Sequence, residues 1–425
     1  MSKQLVGILF ILCILLISAY VAAIGLGRFF TGSHDTDFPS SAQPEQICLT
    51  WSGEPATSMT IQWRSSPEAD DGILQFRESV KTDTSVTEVT PNRVALKDSG
   101  TRNDPVNNRF SAVLNGLRPA TSYDYRVACN GAFSDWYTFT TAPPPSAAQS
   151  FSFVYMGDPQ VGLDTWGELV HKADTRHPDA AFYVVSGDNV NRGNNRNEWD
   201  TLFHAAGGVF EHKPYVPALG NHDCPGGARP RLFLELLTLP ENGPGKLEPE
   251  RAYTFQYGNA LFLVLDSNSD LEVQALWMEE QLKNSSATWK FAVYHHPAYS
   301  SAPRRDNVEL REKWGPLFDK YHVDMALQGH DHGYLRTRPM RGGKEVASPA
   351  EGTIYVVSVS GTKLYDVEQH EYAEKSLERV STYQIIDIET GNQDKLTYRA
   401  YDMDGNVRDE FVIVNQKRLQ AGRIK

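Results

Sequence analysis

Cysteine is scarce, with four in 425 residues, and Cys13 sits inside an apolar segment, leaving Cys48, Cys129 and Cys224 for the rest of the chain. That excludes a disulfide-dense scaffold. Cys48 and Cys129 keep two readings open, a bridge if this region folds in an oxidising compartment or a pair of buried thiols. An excess of positive charge is also missing. A net charge of −12 lacks the basic surface of a nucleic-acid binder, so no nucleic-acid partner is expected. Anionic substrates stay open, because a local metal site reverses the field around it. There is no internal repeat. What is present, 40% hydrophobic and 22% charged residues, is ordinary globular material of a length for two or three domains.

Residues 5–27 carry no charge and are flanked by Lys3 and Arg28. A signal peptide's apolar core is about 7–15 residues and a spanning helix needs about 20, so the length favours an uncleaved anchor. Val21-Ala22-Ala23 nevertheless offers a small-residue cleavage site. The expectation for residues 1–28 is therefore a membrane anchor or signal peptide. The rest of the chain then lies outside the cytoplasm, anchored to the membrane, or secreted or periplasmic if the segment is cleaved. Residues 29–44 read as a polar linker.

Short alternating strands follow over residues 45–142. Met59, Ile61 and Trp63 face one way, and Thr60, Gln62 and Arg64 the other. Phe110, Ala112 and Leu114 repeat the pattern, as do Tyr123, Tyr125 and Val127. With turn signals at Asn115-Gly116 and Asn130-Gly131, the stretch predicts an all-β sandwich. It contains no metal-ligand constellation, so a structural or docking role suits it. Pro143-Pro144-Pro145 then opens a semi-rigid linker over residues 143–150, since proline fixes φ and cannot extend a ladder.

Beyond the linker one event recurs. An apolar run reading as a buried strand ends in Asp, Asn or His: Phe151 to Met156 at Gly157-Asp158-Pro159-Gln160, and Ala180 to Val185 just before Gly187-Asp188-Asn189-Val190-Asn191. Tyr215 to Leu219 ends at Gly220-Asn221-His222-Asp223, Phe291 to Tyr294 at His295-His296-Pro297, and Val323 to Gln328 at Gly329-His330-Asp331-His332. One Gly-Asp is an ordinary turn. Five such endings are accounted for together by one metal site at the C-terminal ends of parallel strands. Strands alternate with helical segments such as 271–282, the pattern of a layered α/β domain.

That order of motifs resembles the calcineurin-like metallophosphoesterases. Within them it is similar to the purple acid phosphatases, on Gly329-His330-Asp331-His332-Gly333-Tyr334-Leu335-Arg336 and on the stretch from Trp314 to Asp324. Leu117 to Val127 and Trp136 to Thr141 resemble that group's fibronectin type III-like N-terminal domain. The resemblance implies an all-β sandwich followed, over residues 151–417, by an α/β domain of two packed mixed sheets flanked by helices. It implies a phosphoester hydrolase, acid-phosphatase-like and acting on phosphomonoesters, with a phosphorylated small molecule or nucleotide as substrate. A phosphodiesterase or nucleotide-cleaving activity on the same site is the alternative, and a catalytically inert surface module is the third.

By the same resemblance Asp158, Asp188 and His332 hold a first metal, and Asp188, Asn221, His295 and His330 a second. Asp188 would bridge the two ions, which share a water, lower its pKa and clamp the phosphoryl oxygens. His222 is the general acid beside the leaving oxygen. His296, Arg304 and Arg305 are candidates for contact with substrate, arginine being matched to phosphate, although two exposed arginines are equally a solvated pair. The chain departs from the group at Asn191, where purple acid phosphatases carry a tyrosine. Gln160 stands where many wider relatives place a first-metal histidine. With Gln160 and Asn191 as neutral candidate ligands, the expected cofactors are two divalent ions, zinc, manganese or ferrous iron, and iron(III) is in doubt.

Overall fold

The computed structural model describes residues 33–79, 85–145, 147 and 149–415. The apolar stretch 5–27, and with it the expected anchor or signal, lies outside the described residues. Among those described, no helix is long and apolar enough to cross a membrane.

The first domain is a β-sandwich. One sheet runs in the order Glu45–Thr50, Ser58–Ser65, Val106–Asn115, Asn92–Lys97, and the other is built on Gly72–Glu78 and Ser122–Cys129. Asn130 and Gly131 take φ of 45° and 79° and close the tight hairpin after Cys129, the left-handed pair that a two-residue turn requires. Inside, Trp63 stacks on Phe110 at 5.3 Å. Cys48 and Cys129 are free buried thiols, and Trp63 Nε1 donates to Cys129 Sγ at 3.3 Å. The bridge is not formed.

The second domain packs two sheets face to face. One runs Tyr215–Pro217, Ala180–Val185, Phe151–Met156, Thr382–Glu389, Lys395–Asp402, Val407–Val414, its first three strands parallel. The other runs Tyr253–Tyr257, Ala260–Val264, Trp289–Val293, Met325–Gln328, Ile354–Val357, Tyr334–Thr337, Ala373–Leu377, with Ala260–Val264 through Ile354–Val357 parallel. Alternate residues point between the sheets, which is why Phe153, Phe182, Phe262 and Phe291 meet there. Phe153 stacks on Phe182 at 5.1 Å and meets Phe291 edge-on at 5.3 Å. The outer faces carry helices, Leu163–Arg176 and Arg196–Ala205 on one side and Leu271–Asn284 and Val308–Tyr321 on the other. The latter pair seats Trp277, Met278, Trp314 and Phe318. The layers thus run helix, sheet, sheet, helix.

The seam between the domains differs from the sequence expectation. Every residue of Ser58–Ser65 is buried, because the polar side of that strand is covered by the second domain rather than by water. Arg64 Nη1 meets Asp200 Oδ1 at 2.8 Å, and Arg196 meets Asp104 at 2.7 Å and Asp200 at 3.4 Å. Nor is the stretch expected as a linker a free tether in its described part. Thr36 Oγ1 donates to Asp200 at 2.7 Å, Ser40 to Asp104 at 2.8 Å, and Phe38 stacks on His204 at 4.2 Å. Trp51 completes the seam apolarly, reaching Phe182 at 5.4 Å and Phe255 at 5.3 Å. Removing one partner of a buried charge network strands the others. Asp200→Ala should therefore cost about 3–5 kcal/mol in denaturant titration, whereas Arg102→Ala, which breaks the exposed pair with Asp35, should cost less than about 1 kcal/mol. Equal losses would show that the seam charges are no more than surface pairs.

Candidate metal centre

The parallel strands of both sheets end on one rim, and the loops leaving them converge. Two groups of side chains there have ligand atoms within 4.8 Å of one another: Asp158, Asp188 and His332, and Asp188, His295 and His330. Asp188 belongs to both. His295 Nε2 lies 3.2 Å from Asp188 Oδ2, 3.1 Å from Asn221 Oδ1 and 3.2 Å from His330 Nδ1. Asn221 thereby joins the second group.

Close approach of the loops sets the local sequence. A side chain at Gly220 would put its Cβ 2.1 Å from the Asp188 backbone nitrogen, and one at Gly329 would put it 2.5 Å from Asp158 Oδ2. Four of the clustered residues, Asp158, Asp188, His330 and His332, sit at positive φ, from 46° to 75°. Non-glycine residues accept that conformation at a cost, typically where function holds them. The loops also hold each other's ligands. His330 N donates to the Asp158 carboxylate at 2.7 Å, and His222 N donates to Asp188 Oδ1 at 2.8 Å.

Partners of the imidazoles set which nitrogen is presented, because a carbonyl can only accept. His295 Nδ1 donates to Ser186 O at 3.1 Å and His332 Nδ1 to Lys363 O at 2.7 Å, which turns both Nε2 atoms to the centre. His222 Nδ1 donates to Asn191 O at 2.6 Å. The outer partners fix tautomer and ring plane, as in metal-binding histidines.

Charge is distributed unevenly. Burial raises the Asp158 carboxyl well above the usual carboxylate range against the pull of His295, and nearby Asp188 adds to the rise. Burial acts the same way on Asp188, but His295 and His222 outweigh it and hold its carboxyl low. Burial opposes charge on His295, yet Asp188 and Asp158 lift it to about 9. Burial, reinforced by His295, drives His330 far down and His296 to about 3. Burial likewise takes His332 to about 4. The two buried carboxyl groups thus draw positive charge onto His295, while the imidazoles of His330, His332 and His296 stay neutral.

The remaining sequence candidates separate. Gln160 is in the centre: its Nε2 lies 2.8 Å from His332 Nε2, and its Oε1 is buried without a hydrogen-bond partner. Asn191 contributes its carbonyl to His222, and among the described residues its side-chain amide makes no hydrogen bond to the clustered side chains. His296 lies against His330 with rings 4.3 Å apart, and its Nδ1 meets Ser267 Oγ at 2.8 Å. Arg305 Nη1 donates to His330 O at 2.8 Å and to Asp331 at 3.1 Å, on the rim. Arg304 is exposed, and only its backbone is tied, 3.4 Å from Glu368, so the structure leaves it out of the site.

Sequence reasoning gave no role to the residues that brace these groups. Asp223 accepts from Gly220 N at 2.8 Å and from Asn189 Nδ2 at 2.9 Å, and burial followed by nearby Asp188 pushes its carboxyl to about 7. Asp331 accepts from Ser301 N at 2.6 Å and orders the loop that carries Arg305. Both stood inside the motifs, and their acid character was the available signal. Ser186 and Lys363 act through carbonyls, which no side chain advertises.

Residues 44–141 match the family of the purple acid phosphatase N-terminal domain, and residues 151–334 match the calcineurin-like phosphoesterase family, together more than half of the chain. Residues 151–334 thus carry a calcineurin-like phosphoesterase domain, with a purple acid phosphatase N-terminal domain in front of it. Similar proteins include an uncharacterized protein of Mycobacterium tuberculosis, 26% identical over 54% of this chain and 51% of its own length. Another is the Fe(3+)-Zn(2+) purple acid phosphatase 12 of Arabidopsis thaliana, 22% identical over 70% of this chain and 66% of its own length. The chain thus spans about half to two thirds of the length of these relatives. Among solved structures, the purple acid phosphatase PPD1 from yellow lupin seeds superposes with a TM-score of 0.76 at 18% identity, covering 89% of this chain and 75% of that one, a likeness of fold.

Crowding around Asp158 gives a direct test. Gly329→Ala should displace the carboxylate and lower metal affinity about 10–100-fold in a calorimetric titration. Gly315→Ala, in open space within helix Val308–Tyr321, should leave affinity unchanged. Equal metal binding by both variants would show that Asp158 does not depend on the close approach.

Proposed function

We propose that this protein is a metal-dependent phosphoester hydrolase, acid-phosphatase-like and acting on phosphomonoesters. The observation that carries the reading is the sharing of Asp188 between two adjacent donor groups. The donor chemistry fits two hard-to-borderline ions: carboxylates and an amide oxygen beside imidazoles, and a buried Gln160 Oε1 that lacks a partner. Asp158, Asp188 and His332 would hold one ion, with Gln160 adjoining, and Asp188, Asn221, His295 and His330 the other. Two ions so placed supply Lewis acidity that activates water and neutralises the phosphoryl oxygens.

The chain's own groups do the rest. His222, protonated on both nitrogens, keeps its Nδ1 proton on Asn191 O and gives its Nε2 proton to the leaving oxygen as the P–O bond breaks, ending as the neutral ring. The neutral ring of His296, held by Ser267, lines the same rim. Arg305 keeps guanidinium nitrogens beyond Nη1 for a phosphoryl oxygen.

Metal analysis of the purified protein beside a panel of phosphate mono- and diesters tests this reading. Monoesters should be hydrolysed faster than diesters, and a reversed order would favour the phosphodiesterase. Asp188→Asn should lower metal content and cut hydrolysis at least about 100-fold, with the sandwich still folded by circular dichroism. Full activity in that variant would sink the two-ion assignment.

The identity of the ions has its own readout. Ferric iron is favoured by anionic oxygen donors, and a neutral Asn191 stands where the resemblance places a tyrosine. The metal-replete protein should contain two divalent ions and be colourless. A tyrosinate-to-iron charge-transfer band in its visible spectrum would contradict this.

A further inference from the structure

Between the second domain's two sheets, the chain from Ser360 to Glu368 crosses the rim of the centre as a strap. It is stitched down at both ends. Ser360 N donates to Gly157 O at 2.6 Å, Gly361 N to Asp158 O at 3.1 Å, Tyr365 N to His332 O at 2.9 Å and Glu368 N to Ser301 O at 2.8 Å. This fixes the Tyr365 ring 4.9 Å from the ring of His332. Two cations lean on that tyrosine: Arg305 Cζ lies 5.4 Å and Lys363 Nζ 5.5 Å from its centroid. Among the described residues, the Lys363 ammonium has no carboxylate partner, and Nε and Nη2 of Arg305 make no hydrogen bond.

In a chain of net charge −12, a lysine with no carboxylate partner and an arginine tied to Asp331 and His330 O through Nη1 alone, both on one half-buried ring, are a feature to be explained. Cation–π contact with tyrosine offsets only part of what an ammonium and a guanidinium gain from an anion. Both lie beside His332 and His330, at the edge of the place where the phosphoryl group would be held, so they face what is attached to it. The Tyr365 ring is flanked by the cations, which disfavours an apolar leaving group there. A second phosphate fits: it brings the charge, and a guanidinium takes its oxygens in a fork.

We propose that Lys363 and Arg305, braced on Tyr365, form a subsite for a second phosphate on the leaving side. Inorganic pyrophosphate and nucleoside diphosphates would then be preferred over esters whose leaving group carries no phosphate. The proposal rests on the hydrolase reading above and deepens it. Both sources offer the same phosphate, so the test uses each.

The metal-replete full chain and its Lys363→Ala and Lys363→Arg variants are assayed with pyrophosphate, ADP and p-nitrophenyl phosphate, and their binding of pyrophosphate and orthophosphate is measured by calorimetry. A charge-assisted contact corresponds to about a tenfold effect or more. Lys363→Ala should lower kcat/KM for pyrophosphate and for ADP about tenfold relative to p-nitrophenyl phosphate, mainly through KM, and weaken pyrophosphate binding relative to orthophosphate to match. Lys363→Arg should restore most of both. If all three substrates fall together, or if pyrophosphate binding is unchanged, the subsite does not exist. If ADP alone responds, the contact is with the nucleoside and the proposal is overturned. Should the unmutated protein bind pyrophosphate through Lys363 yet turn over none of the three, the subsite stands and the hydrolase reading falls.

Discussion

Two carboxylates buried within reach of one another are unfavourable unless positive charge sits between them. Asp158 and Asp188 are both withdrawn from water, and His295 bridges them, 3.8 Å from one and 3.2 Å from the other. Much of the second domain follows from that constraint. Each carboxylate is fixed by an amide from a neighbouring loop, and each of those loops is launched from the end of a strand whose far side is packed. The stacked phenylalanines between the sheets give the strand ends fixed positions. A core of that density does not drift by the ångström that would separate the ligands. Left-handed backbone at four of the clustered residues is tolerable because the surroundings leave it no alternative.

The brace is layered outward. Asp223 gathers the amides behind Asp188, Asp331 gathers those in front of Arg305, and carbonyls of Ser186, Asn191 and Lys363 set the imidazoles. A centre assembled this way is preorganised: little rearrangement is needed when ions or an anion arrive, so binding energy is not consumed in ordering.

The strands that carry the ligands could be read from sequence because burial on both faces produces continuous apolar runs, and ligand chemistry follows each run immediately. Phe151–Met156 and Ala180–Val185 fall where those runs predicted them. What could not be read was long-range. The alternation in Ser58–Ser65 correctly places Thr60, Gln62 and Arg64 opposite Met59, Ile61 and Trp63, but alternation says only that a face is polar. It does not say whether water or Asp200 covers it. The stretch from His34 to Ser41 looks like a tether because most of its residues are polar, and it is bound because its partners lie more than 60 residues away. Lys363 and Tyr365 belong to no motif at all; they matter through where residues 360–368 are pinned.

The seam has a consequence for the order in which the molecule can be made. The sandwich leaves the ribosome first, with Trp51 bare and with Arg64 and Gln62 held by Glu45 and Thr50 of its own first strand. Their further partners are Asp200, Phe182, Phe255 and the carbonyl of Thr238, reached through Thr50. Until synthesis has passed Phe255 and that part of the second sheet can form, the nascent sandwich exposes a large indole and leaves Arg64 without its second carboxylate. Such a face invites arrest or wrong pairing in a chain made domain by domain. The first domain of this protein is therefore finished by the second, and its maturation waits on translation of a residue just over two hundred positions further along.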